Sequence, residues 1–232
     1  MHTTQKAFNE EFDNWWARTG EWVEEPNQRR GGESGVQFIK PEAPGQPCLY
    51  SKRQINHMFF SLRHPFGHPT ALREKNAIQG LERLGAKAPK LVFYGAIKKD
   101  KDWYALLITE ALTGFVSLDQ WYEQQNLQPF DRAHVDAVLQ QIAINFYKMH
   151  LGGWQHGCCY AKHIYIKASP EHAPEVAFID LEKARQRWPK YHAALRDIKQ
   201  LGRHRGEMPE ADWQVFLQHY CNLNPKLRTK LL

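Results

Sequence analysis

The chain has 232 residues, with Lys plus Arg at 31 against Asp plus Glu at 25, a formal net charge of +6. Its apolar share of 42% and charged share of 24% are those of an ordinary soluble globular protein and exclude a disordered tail protein. No uncharged apolar stretch approaches the roughly 18 residues of a membrane-spanning helix, which excludes a polytopic membrane protein. The length suits one large domain or two small lobes, and either can bury a core. The first residues, Met1 to Trp16, lack a basic region followed by an apolar run and a cleavage site, so a cytosolic location is expected. Cys48, Cys221 and the adjacent Cys158 and Cys159 are not the spaced framework of a disulfide scaffold. The positive balance fits an anionic partner such as phosphate, nucleic acid or an acidic membrane face, without selecting one.

In chain order, residues 6–23 read as a helix. Phe8, Phe12, Trp15, Trp16 and Trp22 supply an apolar face, and Gly20 and Pro26 end it. Arg29 to Gly35 read as a glycine-rich turn, with Val36 to Ile39 and Cys48 to Arg53 as the strands of a hairpin. Phe59, Phe60, Leu62 and Phe66, with Arg53, Arg63 and His64, read as a packed connector, with a lipid or acidic surface as the other option. Residues 70–85 form a helix with Thr70 as N-cap and Gly85 as its end. Strands follow at Pro89 to Tyr94 and Trp103 to Glu110. Beyond Leu112 the pattern becomes helical, at 117–125, 132–151, 191–202 and 210–221. Two short β-branched runs, His163 to Ile166 and Val176 to Ile179, interrupt it. This predicts a β-rich lobe over 1–111 and a helical lobe over 112–232, with a ligand cleft between them.

The order of chemistry-bearing residues narrows the function. Gly31, Gly32 and Gly35 come first, then Lys52 in a strand and Glu74 in a helix. His156 follows in a loop after a long helix, and Asp180 ends an apolar strand. Glycines let backbone N–H groups approach phosphates. A Lys charge offsets phosphate charge, and a carboxylate holds that Lys. A strand-end Asp gives hard oxygen to Mg²⁺. That order is the working sequence of a phosphotransferase with the protein-kinase fold.

The segments Phe12-x-x-Trp15-Trp16, Gly20-Glu21-Trp22-Val23-Glu24, Arg30-x-x-x-Ser34-Gly35-Val36-Gln37, Arg63-x-Pro65-Phe66-Gly67, Arg73-Glu74, His156-Gly157-Cys158-Cys159-Tyr160 and Asp180-Leu181-Glu182-Lys183 carry a more specific likeness. The chain resembles the lipopolysaccharide kinase family, the Kdo and heptose kinases of Gram-negative bacteria, and within it the small InaA-like branch. The resemblance implies an α+β, bilobal protein-kinase-like fold with a reduced helical C-lobe, and ATP and Mg²⁺ as cofactors. It implies that Gly31, Gly32 and Gly35 cover the nucleotide and that Lys52 and Glu74 form the phosphate-binding pair. The segment Thr109 to Leu112, including Glu110, would meet the adenine. Asp180 and His163 would hold the metal, Lys162 would meet the transferring phosphoryl group, and Asp197 would brace the catalytic loop.

Cys158 stands where such kinases carry the catalytic Asp. A free thiol titrates at about 8.5 and is a poor proton acceptor near neutrality. His156, two residues away, is the candidate to interact with it. Losing a base typically costs about 10²–10⁴-fold in rate. Two functions therefore stand together. One is ATP- and Mg²⁺-dependent phosphoryl transfer to a sugar hydroxyl of the lipopolysaccharide core. The other is a catalytically impaired pseudokinase that binds nucleotide as a stress- or pH-responsive sensor or scaffold. Peripheral contact with the inner membrane belongs to the first. His156, Cys158, Cys159 and His163 could instead ligate zinc, but adjacent cysteines rarely both reach one ion. Cys159 reads better as a small buried apolar residue. No motif supports nucleic-acid binding.

Overall fold

The structure is a computed structural model that describes residues 2–29, 31–127, 130–169 and 171–232. Two compact units divide the chain: Met1–Lys75 with Lys90–Thr113, and Asn76–Pro89 with Gly114–Leu232.

The first unit opens with helix α1 (His2–Ala17), followed by strands β1 (Glu21–Arg29), β2 (Gly32–Ile39) and β3 (Leu49–Ile55). A short hairpin, β4 (Met58–Ser61) and β5 (His64–Pro69), precedes helix α2 (Ala71–Arg83), whose first residues belong to this unit. Strands β6 (Leu91–Lys99) and β7 (Asp102–Glu110) complete a five-stranded sheet of order β1-β2-β3-β7-β6. All its neighbouring strands are antiparallel. Phe12, Ile39, Leu49, Phe93, Ile97, Leu106 and Ile108 form its core, against which Phe8, Trp15 and Trp16 of α1 pack. Phe12 stacks on Trp16 with ring centroids 5.6 Å apart. The aromatic face expected of the first helix is thus the sheet's cover.

Three local readings change. The helix stops at Ala17, and Trp22 lies in β1, 42% exposed. Pairing to β2 overrides the poor strand propensity of Glu24, Glu25, Pro26 and Asn27, and the register slips twice in that stretch. The segment read as a packed connector is the β4–β5 hairpin. It exposes Phe60 by 68%, Leu62 by 103% and Phe66 by 94%, and only Phe59 of the group is buried. The start of α2 is capped from a distance. Gln54 Oε1 accepts the Ala71 N–H at 2.9 Å, while Gln54 Nε2 donates to the Thr70 hydroxyl at 2.8 Å. Thr70 is thus a relay rather than the side-chain cap.

The end of α2 follows its sequence. Gly85 has φ +66°, and the Ala86 N–H reaches Leu81 O at 3.0 Å while the Gly85 N–H reaches Glu82 O at 2.9 Å. This is the paired closure that a left-handed glycine permits.

The second unit carries β8 (Val116–Ser117), α3 (Leu118–Leu127), α4 (Arg132–Leu151), β9 (Trp154–Gln155), β10 (Ile164–Ser169), β11 (His172–Phe178) and β12 (Arg185–Gln186). Helices α5 (Tyr191–Arg203), α6 (Glu210–Leu223) and α7 (Arg228–Leu231) close it. Asp131 caps α4 by accepting the His134 N–H at 2.7 Å. Val138, Leu139, Ile142 and Phe146 of α4 are fully buried, as are Phe178, Phe216 and Tyr220. Phe146 packs on Phe178 at 4.6 Å and on Phe216 at 6.0 Å between centroids. No helix among the described residues is long and apolar enough to cross a membrane.

Candidate functional site

In the first unit, β3 carries Lys52 opposite Leu107 of β7 and Val36 of β2. Its ammonium meets Glu74 Oε2 of α2 at 2.7 Å, with side-chain exposures of only 16% and 13%. The predicted strand Lys and helix Glu are therefore one ion pair, shielded enough for its Coulomb attraction to exceed that of a surface pair. Glu110 closes β7 and accepts from Lys90 Nζ at 2.7 Å. The adjoining Ala111 N–H donates to Cys48 O at 2.8 Å, and Leu112 follows outside the sheet.

The three glycines separate. Gly31 sits in the β1–β2 turn at φ +74°, and a side chain there would meet open space. Gly32 and Gly35 lie inside β2. A Cβ on Gly32 would fall 2.2 Å from the Asn56 carbonyl carbon, and one on Gly35 would fall 2.9 Å from the Pro26 nitrogen. Close packing of the sheet itself thus explains two of the three. Arg30, the remaining turn residue, lies outside the described residues.

In the second unit the loop after α4 is held by a buried carboxylate. Asp197 of α5 is fully buried and accepts the His156 N–H at 2.6 Å and the Gly157 N–H at 3.1 Å. His150 Nε2 lies 3.3 Å from the same carboxylate, and its Nδ1 is 2.7 Å from the Tyr220 hydroxyl. Gln200 accepts the Cys159 N–H at 2.9 Å. One face of α5 therefore fixes the loop's main chain through Asp197 and Gln200. Asp197 had been singled out from sequence; Gln200 had not.

Pairing of β10 with β11 brings the next residues together. Ile164 faces Phe178 in the ladder, and the Ile179 N–H continues it to His163 O at 3.1 Å. That register puts His163 Nε2 3.6 Å from Asp180 Oδ2. Asp180 adopts a left-handed backbone, φ 55° and ψ 55°, an uncommon conformation for a non-glycine residue and one that clusters at functional sites. Cys158 Sγ joins them: one donor atom each from Cys158, His163 and Asp180 all lie within 4.8 Å of one another. His163 Nδ1 is 2.7 Å from Cys158 O, so the ring donates to that carbonyl. Lys183 Nζ stands 3.7 Å from Cys158 Sγ.

Electrostatics disfavour the Cys158 thiolate. Burial pushes Cys158 above the ordinary cysteine value, the Asp180 charge adds to this, and Lys183 opposes it. Burial chiefly, with the Asp197 and Cys158 charges adding, pushes the fully buried Cys159 far up, and it matches the small apolar residue expected there. His156 reaches Cys158 through the main chain and not the thiol: its Nδ1 accepts the Cys158 N–H at 3.4 Å. Its ring is fully buried, burial lowers its pKa, and Nε2 has no hydrogen-bond partner. The His156–Cys158–Cys159–His163 quartet is thus not gathered; Asp180 takes the place of His156 and Cys159 beside Cys158 and His163.

Lys162 is exposed and lies in the field of Asp119, at the start of α3. Burial raises the Asp119 pKa, with Glu123 and Glu207 adding and Lys162 and His163 opposing. Asp119 Oδ1 is buried without a hydrogen-bond partner and occupies the space a Cβ on Gly206 would need, 1.7 Å away. Asp119 was missed from sequence. An acidic residue in a helix's first turn is commonplace, and no local pattern announces that it faces Lys162.

A profile of the lipopolysaccharide kinase (Kdo/WaaP) family matches residues 13–220. The chain belongs to the lipopolysaccharide kinase (Kdo/WaaP) family. Every site residue named above falls inside that span. Protein InaA of Escherichia coli (strain K12) is 45% identical over 211 residues, which cover 91% of this chain and 95% of that one. Among solved structures, WaaP in complex with acyl carrier protein matches with a TM-score of 0.69 at 21% identity, over 98% of this chain and 90% of that one. That likeness speaks for the fold, a kinase-like one with a β-rich sheet and a set of helices. Within the Kdo/WaaP family framework, this chain carries the Lys52–Glu74 pair and Asp180, with Cys158 beside Asp180 and His163.

Proposed function

We propose that the chain binds ATP with Mg²⁺ and transfers a phosphoryl group slowly to a sugar hydroxyl of the lipopolysaccharide-core type. The observation that carries this reading is the shielded Lys52–Glu74 ion pair at 2.7 Å in a chain of the lipopolysaccharide kinase family. Such a pair fixes an ammonium where phosphate charge must be offset. Gly31, with Gly32 and Gly35 behind it, would cover the phosphates, and the backbone from Glu110 to Leu112 would meet the base. The Asp180 carboxylate offers the hard oxygen that Mg²⁺ favours and would hold it, with His163 Nε2 3.6 Å away at the second metal position the family resemblance assigns; the ion supplies charge neutralisation on the phosphate oxygens. Lys162 is a further cation for the transferred group.

The slow rate follows from Cys158. Its pKa is raised by burial and by Asp180, so it does not take the acceptor's proton at neutral pH. Positioning and charge stabilisation remain, and they dominate phosphoryl transfer. Turnover of core-sugar acceptors is therefore expected, abolished by Asp180→Ala and raised by Cys158→Asp, by about 10²-fold if the carboxylate restores the base. Nucleotide binding with no turnover over hours would favour the second reading, a nucleotide-binding pseudokinase acting as a stress- or pH-responsive sensor or scaffold. The raised Cys158 pKa is what favours that alternative.

A cytoplasmic location with peripheral contact to the inner membrane belongs to the same proposal. It is supported by Phe60, Leu62 and Phe66, exposed on the β4–β5 hairpin beside the exposed Arg63. Apolar side chains with a cation suit an anionic lipid surface. Sedimentation with anionic vesicles tests it. Replacing Phe60, Leu62 and Phe66 together by Ser should abolish pelleting; unchanged pelleting would count against the hairpin.

A further inference from the structure

We propose that Cys158, His163 and Asp180 form a three-donor site for a thiophilic divalent ion, zinc in the first place, and that this ion competes with Mg²⁺ for Asp180. The inference deepens the metal assignment above and shares with it only His163 and Asp180.

The donor set selects the ion. Mg²⁺ takes oxygen ligands and does not favour sulfur. Zn²⁺ accepts thiolate, imidazole and carboxylate together, and three protein ligands leave a fourth position for water or a phosphate oxygen. Zinc bonds of about 2.0–2.3 Å in a tetrahedron set donor separations of roughly 3.3–3.7 Å. The His163 Nε2 to Asp180 Oδ2 distance of 3.6 Å already fits. No pair in the triad exceeds 4.8 Å, so the sulfur edges need to contract by about 1.5 Å at most.

His163 is oriented for the task. Its Nδ1–H donates to Cys158 O at 2.7 Å, which leaves Nε2 as the ring nitrogen that faces Asp180, 3.6 Å from Oδ2. Metal-bound histidines are fixed in this way, by the other ring nitrogen donating to a carbonyl or carboxylate. Burial also matches. Cys158 is 5% exposed, whereas the Asp180 side chain is 41% exposed, so the site is closed behind and open on one side. Lys183 Nζ, 3.7 Å from Sγ, belongs to an exposed side chain that can swing away when the ion arrives. Binding converts the Cys158 thiol to thiolate, forms one metal–sulfur bond and releases one proton to solvent.

Cobalt(II) titration of the intact, chelator-treated protein tests the site. The expected result is a near-ultraviolet thiolate-to-cobalt charge-transfer band, bleached by one equivalent of Zn²⁺. Cys158→Ser should abolish the band and weaken Zn²⁺, measured by competition with a chromophoric chelator, by about 100-fold. Cys159→Ala should leave both unchanged, and Lys183→Ala should tighten Zn²⁺. Cys158→Asp should shift preference toward Mg²⁺. A missing band in the folded wild-type protein, or equal zinc affinity in wild type and Cys158→Ser, would overturn the proposal. A thermal shift with ATP and Mg²⁺ in the same chelator-treated protein tests the kinase reading separately. Nucleotide binding without the cobalt band defeats the zinc site alone; the band without nucleotide binding defeats the kinase reading alone.

Discussion

Asp197 holds four groups with one carboxylate: two main-chain N–H groups, His150 and, through His150, Tyr220. Asp197→Ala strips that acceptor from a fully buried position, and we expect a loss of about 3–5 kcal/mol in urea unfolding. Asp197→Asn should recover part of it; a loss under about 1 kcal/mol would mean the loop is held by other contacts. Glu74→Gln removes the charge facing Lys52, and a roughly tenfold loss of ATP affinity is expected, with the protein still folded. His68 contributes a pH dependence to the stability of the first unit. Burial lowers its pKa first, with the His64 charge adding and the Pro69 carbonyl opposing. A depressed histidine binds its proton more readily in the unfolded chain. The stability it contributes is therefore present above about pH 6.5 and lost as pH falls below that value. The melting temperature should drop on moving from pH 7.5 to 5.5, and His68→Gln should flatten that drop; an unchanged slope would assign the acid sensitivity elsewhere.

Helix α1 and the strands it covers depend on apolar contact across the sheet. Phe12 is fully buried between Trp16 and Phe93, and Phe12→Ala should cost about 3–5 kcal/mol by loss of transfer energy and a residual cavity. Elements with strong periodicity were legible. Helix α4 runs over residues 132–151 as its apolar stripe indicates, and α2 ends at Gly85 by a closure the sequence signals. Elements made by pairing were not. The β1 stretch Glu24–Asn27 has little strand propensity and is a strand because β2 lies beside it. Phe60, Leu62 and Phe66 look like core and are exposed, because a four-residue strand followed by a tight turn has too little sheet to cover both faces. Gln54 caps α2 across 17 residues, which no local spacing rule can find.

At the scale of the whole chain, the β-rich first unit and the helical second one belong to a lipopolysaccharide kinase family member. Part of the candidate site's geometry was legible in the order of residues: Lys52 and Glu74 do pair, and Asp197 does accept the loop's main-chain N–H groups. Glycines were less legible: Gly32 and Gly35 serve the sheet's own packing, which composition cannot separate from ligand binding. The Cys158–His163–Asp180 grouping was only half visible, since β10–β11 register and not spacing brings Asp180 to the loop. The net charge of +6, indifferent between partners at first, would under the proposed function serve nucleotide phosphate through Lys52 and Lys162. The most direct test of the account is thermal unfolding with ATP and Mg²⁺. The account predicts a melting temperature that rises with nucleotide concentration, as for any ligand of the native state, and a rise that Lys52→Met removes. No shift up to millimolar nucleotide would contradict it.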